Sequence, residues 1–173
     1  RHNPDVRVHV RLNRDRVEIG LDAAGQSLHE RGYRTDAGRA PLRETLAAGI
    51  LGLMDWDGST PLYDPMCGSG TFVIEAALIA AGKFPGQLGR TNGFERWPGF
   101  KPARLVKLRD ALRREHPESM PMIVGSDRNP RAIKGARDNA KRAGVSHLIR
   151  FELLDARQVR APKGPPGLVV CNP

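Results

Sequence analysis

Cysteine is scarce, with only Cys67 and Cys171 among 173 residues. Neither stands at metal-ligand spacing, and two thiols make no disulfide framework. A zinc module and a stapled extracellular scaffold are therefore excluded, and a reducing cytoplasm is the expected compartment. The five histidines are scattered and form no H-x-x-x-H pair, so no metal is expected. No apolar run reaches membrane length, no stretch reads as a signal peptide, and no repeat or low-complexity tract stands out, so no membrane partner is expected. Acids are outnumbered as well: 19 Asp and Glu face 28 Lys and Arg, for a net charge of +9. A polyanionic partner is expected from that balance, which governs encounter and solubility rather than chemistry. The length suffices for one core-bearing domain.

Two nucleotide signatures are also missing from the most glycine-marked turn of the chain. That turn is Asp64-Pro-Met66-Cys67-Gly68-Ser-Gly70-Thr71, followed by Phe72 to Ala81. The dinucleotide pattern fails because Val73 occupies the place of the third glycine. A P-loop fails because Gly82-Lys83 has Ala77 at its first position and Phe84 after the lysine. What is present is a short strand ending at Asp64, a glycine turn, and a helix with Glu75 as its only charge. A helix apolar nearly all round is expected to be buried against a sheet. Strand, turn and helix form one ligand-cradling half of a doubly wound α/β unit. Glycine lets a ligand approach the backbone, and the helix start offers unpaired N–H groups to an anion. An acid before the loop and no lysine within it suit a ligand with an amine, a carboxylate and no phosphate, as in S-adenosylmethionine. The alternative is an ordinary strand-to-helix turn with Asp64 as a cap, and the loop alone leaves both open.

Before this unit, Val6 to Leu12 and Val17 to Asp22 alternate around Asn13-Arg14-Asp15, which predicts a β-hairpin with one apolar face. That face must pack on the domain that follows or on an upstream partner. Arg7, His9 and Arg11 are expected to pair across strands with Glu18 and Asp22. In the connector, Arg31-Gly-Tyr33-Arg34 places an aromatic between arginines, suited to a stacked base between phosphates. A solvated linker with Tyr33 tucked against the domain is the alternative, and base rates for such loops favour it. Pro41 is expected to open a helix with a Leu42/Leu46/Ile50/Leu53 stripe. After it, residues 83–120 are broken by proline and glycine. A helix near 103–116 is expected there, burying Leu105, Leu108 and Leu112 and presenting Arg104, Lys107, Arg109, Arg113 and Arg114. Those five cations read equally as RNA contacts or as a solvated face.

Regular alternation then resumes. A strand over 122–124 runs to Asp127, and Asn129 caps a helix with an Ile133/Ala136/Ala140/Ala143 stripe stopped by Gly144. A strand over 148–154 runs to Asp155. Leu168 to Cys171 reads as a strand buried on both faces, followed by Asn172 and Pro173. Asp64, Asp127, Asp155 and Asn172 thus share the carboxyl edge of one parallel sheet, where ligands of open α/β folds bind. An acid after the second strand accepts ribose hydroxyls, and one after the third accepts from an adenine amine.

These stretches resemble the class I S-adenosylmethionine-dependent RNA methyltransferases that modify the guanine 2-amino group. The likeness is strongest to the THUMP-associated enzymes acting on large-subunit ribosomal RNA. It rests on Asp64 to Thr71 and Cys171-Asn172-Pro173. Further support comes from Arg31-Gly-Tyr-Arg34-Thr35, Ala40 to Thr45, Gly93-Phe-Glu-Arg-Trp97 and Gly125-Ser-Asp127-Arg128-Asn-Pro130. The resemblance implies a Rossmann-like α/β fold with a mostly parallel sheet, its first four strands present, preceded by the antiparallel hairpin. Residues 1–38 would then be the hairpin and connector of an upstream RNA-binding module. Residues 39–173 would be the methyltransferase domain, with a basic insertion at 83–120. It further implies a cofactor site of Asp64, Met66, Cys67, Gly68, Gly70, Thr71, Asp127, Arg128, Asp155, Ala156 and Asn172. Asn172 and Pro173 would be catalytic, and RNA would meet Arg31, Tyr33, Arg34 and the basic helix.

The family's THUMP module is missing, and its Asn-Pro-Pro-Tyr motif is cut after Pro173. The expectation is accordingly a fragment that holds cofactor and transfers no methyl group. Two rivals remain: an adenine-N6 methyltransferase acting on DNA or RNA, and a catalytically idle RNA-binding module. Thiolate chemistry on cytosine is set aside, because Cys67 lies in the cofactor loop and Cys171 in an expected buried strand.

Overall fold

The computed structural model describes residues 6–34, 42–83, 88, 91–111, 120–160 and 164–173. Strands β1 (Val8–Asn13) and β2 (Arg16–Leu21) pair antiparallel as the expected hairpin. Helix α1 (Glu44–Leu53) leads to β3 (Leu62–Asp64), α2 (Thr71–Ala80) and α3 (Pro102–Ala111). The chain continues through β4 (Ile123–Asp127), α4 (Pro130–Arg142), β5 (Ile149–Leu153) and β6 (Leu168–Val169). Strands β3 to β6 form one parallel sheet in the order β5-β4-β3-β6. The chain steps outward from β3 to β4 to β5, then returns to the other side of β3. That reversal opens a crevice at the carboxyl ends of the strands, where the expected site residues lie.

Helix α2 is the centre of the core: every residue from Thr71 to Ala80 except Ile79 is buried. Phe72, Val73, Ile74 and Leu78 each contribute about 1.5–3 kcal/mol by leaving water. Helix α4 packs beside α2 through Ile133, Ala136 and Ala140, with Ala143 just beyond its end, as its periodicity predicts. Its start is capped by Asn129, whose side chain accepts the Arg131 N–H at 2.9 Å, and it stops at Gly144 with φ +67°.

Three packing expectations are corrected. Helix α1 does not bury the Leu42/Leu46/Ile50/Leu53 stripe: Leu46 and Leu53 are exposed, while Glu44, Ala47 and Leu51 turn inward. The inward stripe is rotated because small residues let α1 approach α2 closely, and because Glu44 has a buried cationic partner. In α3, Leu105 is half-buried and Leu108 is exposed, so the insertion helix is not seated on the core; Leu112 lies outside the described residues. Among the described residues strand β6 covers Leu168–Val169 and pairs with β3; Val170 is buried, whereas Cys171, expected inside the strand, is exposed. Of the two places open to the hairpin's apolar face, the following domain does not cover it. Val8, Val10, Leu12, Val17, Ile19 and Leu21 share that face and are all exposed. On the opposite face Arg7 reaches Asp22 at 3.4 Å and Arg11 sits across from Glu18, as expected. Pro41 falls outside the described residues.

Candidate functional site

The glycine loop is stitched to the end of β4 and to α4. The Cys67 N–H donates to the Ser126 carbonyl at 2.8 Å, and the Gly68 N–H to Asp127 Oδ2 at 3.0 Å. From α4, Asn139 Nδ2 donates to the Ser69 carbonyl at 2.9 Å. The two glycines serve different ends. At Gly70, φ is +87°, and a Cβ would stand 3.0 Å from the Ala136 methyl, so glycine permits α2 and α4 to meet. At Gly68, φ is +52°, and a Cβ would meet nothing within 4 Å, so this backbone faces open space. Met66 is exposed beside it.

Asp64 is buried at the base of the loop, 2% exposed, with Oδ1 accepting the Met66 N–H at 3.0 Å. Burial pushes its carboxyl up to about 7, against the lowering by that amide; the Asp127 charge adds to the rise. Burial also raises the Cys67 thiol, with the neighbouring Asp64 and Asp127 charges adding to the effect. A thiol held protonated in this way makes a poor nucleophile. For Cys171 burial no longer supplies that argument, since it is exposed. The two carboxylates side by side make the crevice attractive to a cation. Among the described residues, no group of three His, Cys, Asp or Glu could hold a metal ion.

The remaining predicted residues gather at the same edge. Asp127 Oδ1 accepts the Asn129 N–H at 2.8 Å, and Arg128 beside it is exposed. Asp155 caps a short 3-10 turn starting at Ala156, and its carboxylate is held well below the usual range by Arg157 at 2.7 Å. Arg157 is 85% exposed, so it can release Asp155 without disturbing a core. Asn172 and Pro173 lie exposed just past β6, where the Val170 N–H reaches the Tyr63 carbonyl at 3.0 Å. The Thr71 hydroxyl, by contrast, is engaged by Arg34 Nη2.

The connector corrects the RNA expectation. Arg31 and Tyr33 are 7% and 2% exposed, and the Arg34 side chain is 10% exposed, so none is available to stack on a base. All three turn inward to α1 and α2. Arg31 Nε and Nη2 donate to the two carboxylate oxygens of Glu75 at 3.3 and 3.0 Å, and the Tyr33 hydroxyl donates to Glu75 Oε1 at 3.0 Å. Arg34 lies 3.6 Å from Glu44 and donates to the Leu42 carbonyl. Burial raises the Glu75 carboxyl, and the two donors oppose it. On α3, Arg104 and Lys107 are exposed while Arg109 is half-buried, 4.0 Å from Glu95; Arg113 and Arg114 lie outside the described residues.

Sequence reasoning missed the residues that hold the site in place: Glu44, Glu75, Ser126 and Asn139. Two acids among apolar neighbours, with Arg31 and Arg34 upstream in surplus, were the available signal. Nothing in the spacing linked them across the intervening chain.

A family model described as the RMKL-like methyltransferase domain matches residues 31–173. The chain belongs to that family. The ribosomal RNA large subunit methyltransferase K/L of Vibrio campbellii is 46% identical over 178 residues, covering 100% of this chain and 25% of that protein. The chain thus spans about a quarter of the length of the curated relatives it matches. A solved protein described as a methyltransferase in complex with SAH superposes with a TM-score of 0.85 at 31% identity, covering 97% of this chain and 44% of that one. A protein from Listeria monocytogenes described as a predicted N6-adenine-specific DNA methylase gives 0.81 at 35% identity, covering 96% and 43%. The Rossmann-like parallel sheet expected from the sequence is therefore the fold of this RMKL-like methyltransferase domain. No helix among its described residues is long and apolar enough to cross a membrane.

Proposed function

We propose that the crevice binds S-adenosylmethionine and that the domain serves methyl transfer to the exocyclic 2-amino group of a guanosine in ribosomal RNA, in the cytoplasm. The observation that carries this reading is the Gly68–Asp127 hydrogen bond. It fixes a loop whose backbone faces open space beside two acids, a cradle suited to an adenosyl ligand with a cationic amino-acid end. The donor set fits as well: Asp127 for ribose hydroxyls, Asp64 for the ammonium side, and the start of α2 for the carboxylate. When bound, this group supplies a methyl attached to a sulfonium. The names of the K/L relatives support ribosomal RNA as substrate, and the SAH complex of a structural neighbour supports the cofactor.

Calorimetry with S-adenosylmethionine tests the reading. Asp127→Ala is expected to lose hydrogen bonds worth about 1–3 kcal/mol, roughly five- to a hundred-fold in affinity. Asp127 also anchors Gly68, so Asp127→Asn, which keeps an acceptor, should lose less. Equal affinity in wild type and Asp127→Ala would overturn the assignment.

A pH series adds an independent check. Asp64 is held up to about 7 in the free protein, and a cation beside it favours the ionised form. Affinity should therefore fall as pH drops below about 7, approaching tenfold per unit, and level off above it. Asp64→Asn should remove that slope. The sign for stability is opposite. A carboxyl raised by burial takes up protons in the folded state first, so its contribution favours folding at low pH and is lost as pH rises towards 7.

The Listeria neighbour's description gives the adenine reading a specific footing. Digestion of the methylated RNA decides it, with label on N2-methylguanosine supporting the proposal and label on N6-methyladenosine the alternative.

A further inference from the structure

Helix α4 carries a cationic face that neither the cofactor crevice nor the core uses. Its inward stripe is Ile133, Ala136, Asn139 and Ala140, and its basic residues are Arg131, Lys134, Arg137, Lys141 and Arg142 against the single acid Asp138. Arg142 turns in, donating to the Tyr33 carbonyl at 2.7 Å and to Asn139 Oδ1 at 2.6 Å. All five are exposed residues, and the other four do not make these inward bonds. Alongside them runs a groove of about 360 Å³, lined by Pro130, Ile133, Lys134, Arg137, Lys141, Leu153 and the acid Asp138, which pairs with Lys134 at 3.0 Å. Leu153 is 60% exposed and sits opposite Asp127 in the sheet, so the groove begins at the crevice edge. Arg137 Nη2 donates to the Phe151 carbonyl at 3.0 Å, pinning the helix wall to the β5 wall.

We infer that this groove is a docking surface for a segment of single-stranded RNA, with phosphates on Lys134, Arg137 and Lys141 and ribose or base faces on Pro130 and Leu153. The inference rests on the reading of RNA as substrate and assigns it a binding surface away from the crevice. Charge complementarity chooses the occupant. Lys134 and Lys141 are two helical turns apart, about 10.5 Å along the axis, with Arg137 between them, so the cations follow a line rather than a point. A row of cations beside an apolar strip fits a polyanion with flat, weakly polar faces. Each helix pairs one cation with an acid, Lys134 with Asp138 at 3.0 Å on α4 and Arg109 with Glu95 at 4.0 Å on α3; α4 is the better candidate because its cations line a groove that starts at the crevice edge.

The test uses the whole chain and a 20-nucleotide single-stranded oligoribonucleotide, with affinity measured across a salt series. Lys134→Gln/Lys141→Gln should reduce the slope of log affinity against log salt by about 1.4, two contacts at about 0.7 each. Arg104→Gln/Lys107→Gln removes the same charge from α3 and should change the slope by much less. Asp138→Asn should raise affinity. An equal or larger slope change from the α3 pair would show that only the overall field matters, and would overturn the inference. So would an unchanged slope in the α4 pair, or an absence of RNA binding by wild type. Calorimetry with SAH on the same proteins keeps the two readings apart. Unchanged cofactor binding with no α4 effect sinks the groove alone, whereas a normal α4 effect with no cofactor binding sinks the proposed function alone.

Discussion

Glu75→Ala is expected to lower the unfolding free energy by about 3–5 kcal/mol, the range for removing one partner of a buried ion pair. The Glu75 and Arg31 side chains are 3% and 8% exposed, so truncation leaves the buried guanidinium with only the Leu28 carbonyl at 3.2 Å and takes the Tyr33 hydroxyl's acceptor away. The pair itself is not the source of stability; the loss comes from leaving one member alone. Glu75→Gln, which keeps an oxygen for Tyr33, should fall between wild type and alanine. An apolar double replacement, Arg31→Leu with Glu75→Leu, should recover much of the loss. Urea denaturation measures all three, and a Glu75→Ala loss below about 1 kcal/mol would show that water or another group replaces the carboxylate. The expected loss is a large fraction of the stability of a domain this size.

The same cluster shows where sequence reading succeeds and where it stops. The alternation of β1 and β2, the stripe and cap of α4, and the apolar α2 are local patterns, and each is legible because period and capping act within one element. The strand-end acids follow too, since a parallel sheet brings the ends of its strands to one edge whatever lies between them. The fate of Arg31 and Tyr33 is set by Glu75, more than forty residues ahead on a helix read as apolar nearly all round, and Arg34 is held by Glu44 and Thr71. An aromatic between two arginines has the same composition whether it faces RNA or a buried glutamate. The stripe on α1 misleads for a related reason: Glu44 is drawn inward by Arg34, and that rotates Leu46 and Leu53 to the surface. The basic face of α4 is masked in sequence by its strong cap and apolar stripe, and it carries as many cations, five, as the expected α3 helix.

The largest functional effect is expected at Asn172. In a protein carrying this domain within the full length of its K/L relatives, Asn172→Ala should slow methyl transfer to guanosine about 10²–10³-fold. S-adenosylmethionine affinity should stay within about twofold. The expectation follows from the nucleophile. A guanine amino nitrogen has its lone pair delocalised into the ring, so it attacks only when the N–H groups are drawn out of plane. The Asn172 side-chain carbonyl and the Pro173 backbone carbonyl would accept those two hydrogens and aim the lone pair at the methyl carbon, with no covalent enzyme intermediate. Both residues follow β6, whose pairing with β3 sets their position next to the Asp64 loop. Alignment of this kind tolerates little displacement, since an error of about 1 Å in a positioned reaction costs on the order of a hundred-fold. Gly167 offers a second way to move the same groups. A Cβ there would collide with the Pro61 carbonyl oxygen, so Gly167→Ala must push β6 away from β3. Single-turnover transfer from labelled cofactor separates the two variants. Asn172→Ala should lose rate with stability intact, and Gly167→Ala should lose both. A fall of less than tenfold in Asn172→Ala would remove that side chain from the reacting centre and leave alignment to the backbone alone.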